Sequence, residues 1–147
     1  VIEKVTLDGL TVSSTLIRER LKAGDIYTAN RLLGHRHLIT GKIVKGNQLG
    51  RTIGAPTANM EIPPGIIVPR HGVYAAVTNV GVRPTVSGDG SVTVESHILN
   101  FRGDIYGKTC RTEFCAFIRP EKKFESIDAL KMQIQKDILS ADEIIKL

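Results

Sequence analysis

The sequence contains no tryptophan and only two cysteines, and aromatic residues make up 5% of its 147 positions. Its purely apolar stretches are only a few residues long, as at Ile66, Ile67 and Val68. Because a membrane-spanning helix needs about 20 such residues, a transmembrane helix is excluded. The chain also lacks runs of five or more like charges and basic segments interleaved with aromatic residues.

The overall charge is nevertheless basic, with 20 Lys and Arg against 15 Asp and Glu, a net charge of +5 and a pI near 9.4. A balance of this size fits nucleic acid, an anionic surface or a phosphate-bearing small molecule, although a solvated basic surface accounts for most such side chains. An RNA-binding barrel is the least favoured alternative, because RNA recognition relies on clustered aromatic residues for base stacking. We therefore expect small-molecule partners, without nucleic acid or membrane.

The two cysteines, Cys110 and Cys115, fall in a predicted strand over residues 109–118. Residues five apart in a strand lie on opposite faces and ~16 Å apart, whereas a disulfide needs Cα atoms within ~7 Å. We therefore predict two free thiols in a reducing, cytoplasmic setting. The chain begins at Val1 without a basic-then-apolar leader, which predicts no signal peptide and a start inside a longer protein.

The first third of the chain carries helix signals. Ser13 and Asp25 are suitable N-cap residues, and Gly34 stands where a C-cap glycine belongs. Apolar residues recur at helical spacing after each predicted N-cap. The pattern predicts two helices before residue 35.

The middle of the chain alternates between apolar and polar residues. Strands are predicted at residues 37–44, 72–80, 92–99 and 109–118, and the Gly-, Thr-, Asn- and Pro-rich residues 46–60 are predicted to form a loop. Short strands without βαβ alternation indicate a closed antiparallel barrel or a sandwich.

The tail returns to a helical pattern. Ser126 is a suitable N-cap for a helix whose apolar stripe comprises Ile127, Leu130, Ile134 and Ile138. Residues 140–143 match a capping box and predict a second, short helix after the first.

A glycine-rich segment precedes two polar residues that could bind a cation. Gly46, Gly50 and Gly54 would let backbone N–H groups approach an anion, and Arg51 would add positive charge. On composition alone, an ordinary flexible glycine loop between two strands is the favoured alternative.

Thr57 and Asn59 follow this segment at i and i+2, so their oxygens project together if the backbone is extended. Neutral oxygens suit a hard cation that keeps waters and shares phosphate oxygens.

Three further residues are candidates, each with a structural alternative. Glu95 lies in mid-strand, on the same face as His97, and could accept a proton if that face lines a barrel mouth. Otherwise Glu95 is solvent-facing and His97 is structural. Arg83, in the turn at residues 79–85, could contact a ligand or be merely exposed.

Taken in order, these motifs resemble the riboflavin kinase module of prokaryotic bifunctional FAD synthases. The resemblance covers roughly residues 35–139 and rests on four segments: Pro56-Thr57-Ala58-Asn59 after the glycines, residues 79–85, residues 94–101 with 103–107, and residues 119–124. Residues 12–18 resemble the closing nucleotide-binding motif of the adenylyltransferase half of such enzymes. We therefore expect residues 1–34 to be the tail of that module with a helical linker, and residues 35–147 to be the kinase domain.

The resemblance implies a mainly β fold, a six-stranded antiparallel Greek-key barrel with a C-terminal α-helix. It implies transfer of the ATP γ-phosphoryl group to the terminal ribityl hydroxyl of riboflavin, giving FMN and ADP. A full-length protein would also adenylylate FMN to FAD, and this chain would not. The alternative is a barrel that binds flavin or nucleotide without catalysis.

The resemblance also implies roles for individual residues. Thr57 and Asn59 would hold Mg²⁺, and Glu95 would be the general base. ATP would be bound by these two Mg²⁺ ligands together with Gly46, Gly50, Arg51, Gly54 and His97. Arg83 and Arg119 would lie on the flavin side.

The sequence departs from the family pattern at Ala55, where an aromatic residue is usual, and at Asn100 and Arg102, where aspartates are usual. It is also shorter between Ala75 and Asn79, which indicates either a shortened hairpin or an omitted loop.

Overall fold

The computed structural model describes residues 3–46, 49–81 and 93–146. The elements in those ranges are β1 (Thr6–Leu7), β2 (Leu10–Thr11), α1 (Ser14–Ala23), α2 (Ile26–Leu33), β3 (Leu38–Val44), α3 (Leu49–Thr52), β4 (Ala58–Glu61), β5 (Val73–Gly81), β6 (Thr93–Ser96), β7 (Thr109–Arg119) and α4 (Ile127–Lys146). No helix in the described residues is long and apolar enough to cross a membrane.

The first two long helices begin and end where their capping residues predict. The Ser13 side chain accepts a hydrogen bond from the Leu16 N–H at 3.2 Å, and Asp25 Oδ1 accepts from the Thr28 N–H at 3.1 Å. Gly34 ends α2 with a left-handed φ of +74°, a conformation that glycine adopts without steric cost. The two predicted helices are confirmed.

Five antiparallel strands form one sheet in the order β5-β7-β3-β4-β6. The last strand, β7, lies between β3 and β5. The sheet is therefore held together by pairing between residues far apart in the chain. The mainly β, antiparallel fold with a C-terminal helix is confirmed. Within the described ranges β5 and β6 are the two edges, and the sixth strand and full barrel closure stay predictions.

The register of β4 on β6 assigns each residue to a face. Met60 lies opposite Val94, and Asn59 lies opposite Glu95. Met60 is 1% exposed and Val94 packs against the core. Directly paired residues share a face and neighbours in a strand alternate, so Asn59 and Glu95 lie on the face opposite the core. The alternation predicted for this strand is confirmed in its described part.

The core joins the N-terminal helices to the sheet. Its buried apolar side chains come from α1, α2 and three of the sheet strands or their flanks: Leu21, Ile26, Ala29, Ile39, Ile43, Met60, Ile62, Ile105, Cys110 and Phe114. The Asn30 carboxamide also donates to the Phe114 carbonyl at 2.9 Å and accepts from the His37 N–H at 2.6 Å. Helices α1 and α2 are therefore packed as part of the β domain, and their origin in another module stays a prediction.

One predicted element in the middle of the chain is wrong. Residues 46–60 were expected to be a loop, but α3 and the start of β4 lie among them. The strand forms because Asn59 and Met60 pair with β3 and because Met60 enters the core, and this non-local gain outweighs the local turn composition. Residues 76–78 lie inside an uninterrupted β5, with a register shift between Ala75 and Ala76.

The C-terminal helix is longer than predicted. The helix capped by Ser126 runs on through residue 140 to Lys146, so the second short helix is wrong. Residues of the expected capping box are compatible with a helix interior, and Lys146 pairs with Asp142 one turn earlier. Ile127 is 63% exposed and does not belong to the half-buried apolar stripe formed by Leu130, Ile134 and Ile138.

The titration of His37 is coupled to folding. Its ring is half-buried against Phe114, with ring centroids 5.8 Å apart, and Nε2 lies 3.0 Å from the Ile67 carbonyl, to which it donates. Burial lowers the pKa of His37 below its ordinary value of 6.5, and positive charge on His35 acts in the same direction, while the bond to Ile67 opposes them.

We expect the free energy of unfolding to fall as the pH drops below about 6.5, because the unfolded chain then takes up a proton that the folded chain resists. The variant His37→Gln should lose this part of the pH dependence. Urea unfolding of both proteins between about pH 7.5 and 5.5 measures the difference. The same pH dependence of the free energy of unfolding in both proteins would contradict the expectation.

Candidate functional site

An open cavity of about 770 Å³ lies where β4 begins and β6 ends. Its walls come from the end of β3, the segment before β4, and the turn at residues 98–106. Lys45, Arg51 and Arg102 give the wall positive charge, and Asp104 is its acidic residue. A cavity with this balance attracts anionic ligands such as phosphates.

Aromatic rings complete the wall of this cavity. Phe101, itself 41% exposed, and Tyr106 line it, and the Lys45 ammonium lies 5.9 Å from the centre of the Tyr106 ring. Flat rings beside cations suit a ligand that combines a planar ring system with phosphates. Sequence reasoning missed Lys45, Phe101 and Tyr106, because a single cation or ring in a loop carries no signal of its own.

Thr57, Asn59 and Glu95 are brought together by two strands. Thr57 lines the cavity immediately before β4. Asn59, two residues later, is 8% exposed and lies directly opposite the exposed Glu95. Paired residues of antiparallel strands have Cβ atoms about 5 Å apart. Asn59 and Glu95 are adjacent to one another and are not part of the cavity wall.

The Asn59 carboxamide is seated against the backbone of Gly46. A Cβ atom on Gly46 would lie 2.2 Å from Asn59 Nδ2 and 2.8 Å from its Oδ1, so a larger residue there would displace the amide. This contact explains why the close approach needs glycine. Gly46 therefore affects the predicted Mg²⁺ site indirectly, by leaving room for the Asn59 carboxamide.

The donor set fits a particular kind of metal binding. The described residues contain no group of three or more His, Cys, Asp or Glu that could hold a metal ion by themselves. The hydroxyl of Thr57 and the carboxamide of Asn59 are neutral oxygen donors, which suit Mg²⁺ that retains waters and shares phosphate oxygens. The predicted Mg²⁺ site therefore fits as a site completed by a phosphate-bearing substrate.

The glycine-rich segment forms a closed turn around α3. The N–H groups of Ile53 and Ala55 donate to the Gly50 carbonyl at 3.3 and 2.8 Å, and the Gly54 N–H donates to the Arg51 carbonyl at 3.4 Å. A Cβ atom on Gly50 would lie 2.2 Å from the Ala55 carbonyl oxygen. These three amides are satisfied within the turn, so the turn would have to open for them to bind an anion.

His97 follows β6 and contacts the segment before β4. Its Nδ1 lies 2.8 Å from the Pro56 carbonyl oxygen. His97 and Pro56 also border a second open cavity of about 630 Å³, which shares Phe101 and Arg102 with the first. The structure therefore brings His97 to the site, beside Thr57.

Arg119 is placed elsewhere. Its Nε lies 3.0 Å from both carboxylate oxygens of Asp137, and its Nη2 lies 2.7 Å from Asp137 Oδ2. Asp137 is 9% exposed and also accepts from Gln133 at 2.9 Å, and the guanidinium lies 5.6 Å from the centre of the Phe124 ring. Arg119 borders neither cavity and ties β7 to α4.

Sequence reasoning missed Asp137, although a signal existed. Residue 137 is three positions after Ile134 and seven after Leu130, so a carboxylate interrupts the apolar stripe of α4. A charge on a packed helix face calls for a partner. The other predicted flavin residue, Arg83, lies outside the described residues.

Comparisons with known proteins identify the family and several relatives of this chain. A family model described as "Flavokinase: Riboflavin kinase" matches residues 33–145. The bifunctional riboflavin kinase/FMN adenylyltransferase of Pseudomonas fluorescens is 41% identical over 150 residues, covering 95% of this chain and 48% of that protein. The enzyme of the same description from Haemophilus influenzae is 43% identical, covering 92% and 47%. The chain thus spans about half the length of these relatives.

A solved structure has the same fold. It is described as a macrolide-efflux protein from Streptococcus pneumoniae and matches with a TM-score of 0.84 and 32% identity. The match covers 96% of this chain and 50% of that one.

We expect Asp137→Asn to lower the free energy of unfolding by about 1–3 kcal/mol, because it leaves the partly buried Arg119 guanidinium without its charged partner. Chemical denaturation measures the loss. The matched control is Asp142→Asn on the same helix, whose pair with Lys146 is exposed and should change stability by under about 1 kcal/mol. Equal losses in both variants would contradict a structural role for the Arg119 pair.

Proposed function

The chain belongs to the riboflavin kinase family, and on that premise we propose that it transfers the γ-phosphoryl group of ATP to the terminal ribityl hydroxyl of riboflavin. The products are FMN and ADP. The observation that carries the proposal is the pairing of Asn59 with Glu95 beside Thr57, which is the residue of the three that lines the cationic cavity. That arrangement offers a cation ligand set and a proton acceptor side by side.

Phosphoryl transfer depends mainly on positioning and on neutralising charge, and the residues around the cavity match these needs. Lys45, Arg51 and Arg102 attract the triphosphate. Thr57 and Asn59 hold Mg²⁺, which supplies further charge neutralisation for the phosphates when it is bound. Gly46, Gly50 and Gly54 shape the neighbouring turn.

Glu95 is the proposed general base. Its carboxylate is exposed and lies across from Asn59, so it can accept the proton of a hydroxyl bound beside the metal ligands. A positioned base contributes a factor of about 10²–10⁴ to the rate. A protein that only bound flavin or nucleotide would have no use for a base there, and this favours the enzyme over the non-catalytic alternative.

Fewer contacts in the structure support the flavin-binding side of the proposed site. Phe101 and Tyr106 offer aromatic faces to a planar ring. The roles predicted for Arg83 and Arg119 remain part of the proposal, and Arg119 would have to leave Asp137 to reach a ligand in the cavity.

The setting of the reaction is also proposed. The free thiols Cys110 and Cys115 support a reducing, cytoplasmic compartment. The names of the relatives support an adenylyltransferase module in the full-length protein, with the present chain limited to the kinase step.

We expect incubation of the chain with riboflavin, ATP and Mg²⁺ to yield FMN without FAD. Chromatographic separation of the flavins measures this outcome, and samples lacking ATP provide the blank. Recovery of unchanged riboflavin, with flavin binding retained, would establish the non-catalytic binding barrel instead.

We expect Glu95→Gln to lower kcat by about 10²–10⁴ while leaving ATP binding nearly unchanged, because the amide preserves the shape and removes the proton acceptor. The same FMN assay measures kcat, and calorimetry measures nucleotide affinity. Glu143→Gln, an exposed position on α4, is the control and should behave as the wild type. Weaker ATP binding with kcat unchanged would argue against the base.

A further inference from the structure

The pairing of β4 with β6 ends one residue before it would include Thr57. The last paired residues are Ala58 and Ser96. One step further, the same register would place Thr57 opposite His97, but both strands stop before that position. In place of a main-chain bond, the His97 ring bridges the two segments, with Nδ1 2.8 Å from the Pro56 carbonyl oxygen.

We propose that His97 is a positioning residue that orients Thr57 by donating its Nδ1–H to the Pro56 carbonyl. The inference rests on the proposed function, in which Thr57 is a ligand of Mg²⁺ held together with ATP. It assigns His97 a role through the main chain, distinct from direct contact with the nucleotide.

The backbone geometry shows why one bond is sufficient. The proline ring fixes φ of Pro56, which leaves ψ as the free torsion before Thr57. The Pro56 carbonyl and the Thr57 N–H belong to one planar peptide group. Holding the carbonyl oxygen therefore fixes ψ of Pro56 and, with it, the position of the Thr57 Cα, which lies in the same peptide plane.

The same bond links the two halves of the proposed chemistry. Glu95 and His97 lie two residues apart on and just after β6, while Thr57 and Asn59 lie just before and on β4. Asn59 is held across from Glu95 by the strand pairing, but Thr57 precedes that pairing. His97 supplies the missing restraint. Both the neutral ring with its proton on Nδ1 and the doubly protonated ring can donate it.

The carbonyl acceptor predicts the tautomer of the ring. Because a carbonyl oxygen only accepts, Nδ1 must carry a proton, and Nε2 is bare when the ring is neutral. Nitrogen-15 NMR of the wild-type protein at alkaline pH should show this tautomer for His97. The opposite tautomer, with the proton on Nε2, would overturn the proposal, whatever the fate of any variant.

Two substitutions separate positioning from direct contact. His97→Leu removes the donor, whereas His97→Asn places its Nδ2–H₂ where Nδ1–H stood and lacks any counterpart of Nε2. By calorimetry with Mg²⁺ and ADP, we expect His97→Leu to weaken binding about five- to tenfold and His97→Asn to remain within about twofold of the wild type. Binding as weak with His97→Asn as with His97→Leu would overturn the proposal in favour of contact through Nε2.

A matched control and a double-mutant cycle complete the test. His35 makes the same kind of contact, with Nδ1 2.8 Å from the Arg36 carbonyl, but borders neither cavity, so His35→Leu should bind as the wild type. If His97 acts through Thr57, adding His97→Leu to Thr57→Ala should cost little more than Thr57→Ala alone. Additive losses would overturn the proposal. Absence of FMN formation by the wild type would overturn the proposed function, while the tautomer and binding comparisons would still decide the inference.

Discussion

The antiparallel pairing of β4 with β6 is the constraint on which the site depends. It sets Asn59 across from Glu95 and, through the alternation of the strands, turns Met60 and Val94 towards the core. A slip of β6 by one residue would turn Glu95 towards the core and Val94 away from it, at a cost in buried apolar surface. The packing of the interior thus enforces the placement of the polar pair on the other face.

The elements around β4 and β6 restrain the side chains and the chain segment that the strand pairing itself does not hold. Gly46 permits the Asn59 amide to sit against the backbone, and the internal bonds of the turn around α3 hold the segment that leads to Thr57. Outside both cavities, the Arg119–Asp137 pair joins β7 to α4 and engages a guanidinium that the resemblance alone would assign to a ligand. The sequence motif shows which candidate residues the chain contains. The contacts in the folded structure decide which of them are free to bind a ligand.

Features set by local chemistry could be predicted from the sequence. Ser13, Asp25 and Gly34 cap helices through bonds to residues at most four positions away, and the alternation around Glu95 is a property of one strand. Features set by distant partners could not. The strand at β4 needs β3 and the core, and the His97–Pro56 bond spans 41 positions. The cationic cavity likewise assembles residues whose individual surroundings in the sequence are unremarkable.

The participation of α1 and α2 in the core bears on where this folding unit begins. The family match starts at residue 33, the last residue of α2, yet Leu21, Ile26 and Ala29 are buried in one cluster with side chains of the sheet. A protein trimmed to the matched range would lose these three members of the buried cluster and deprive His37 and Phe114 of the Asn30 side chain. The boundary of the family model and the boundary of the packed core are therefore separate, and protein engineering that shuffles this domain has to respect the second.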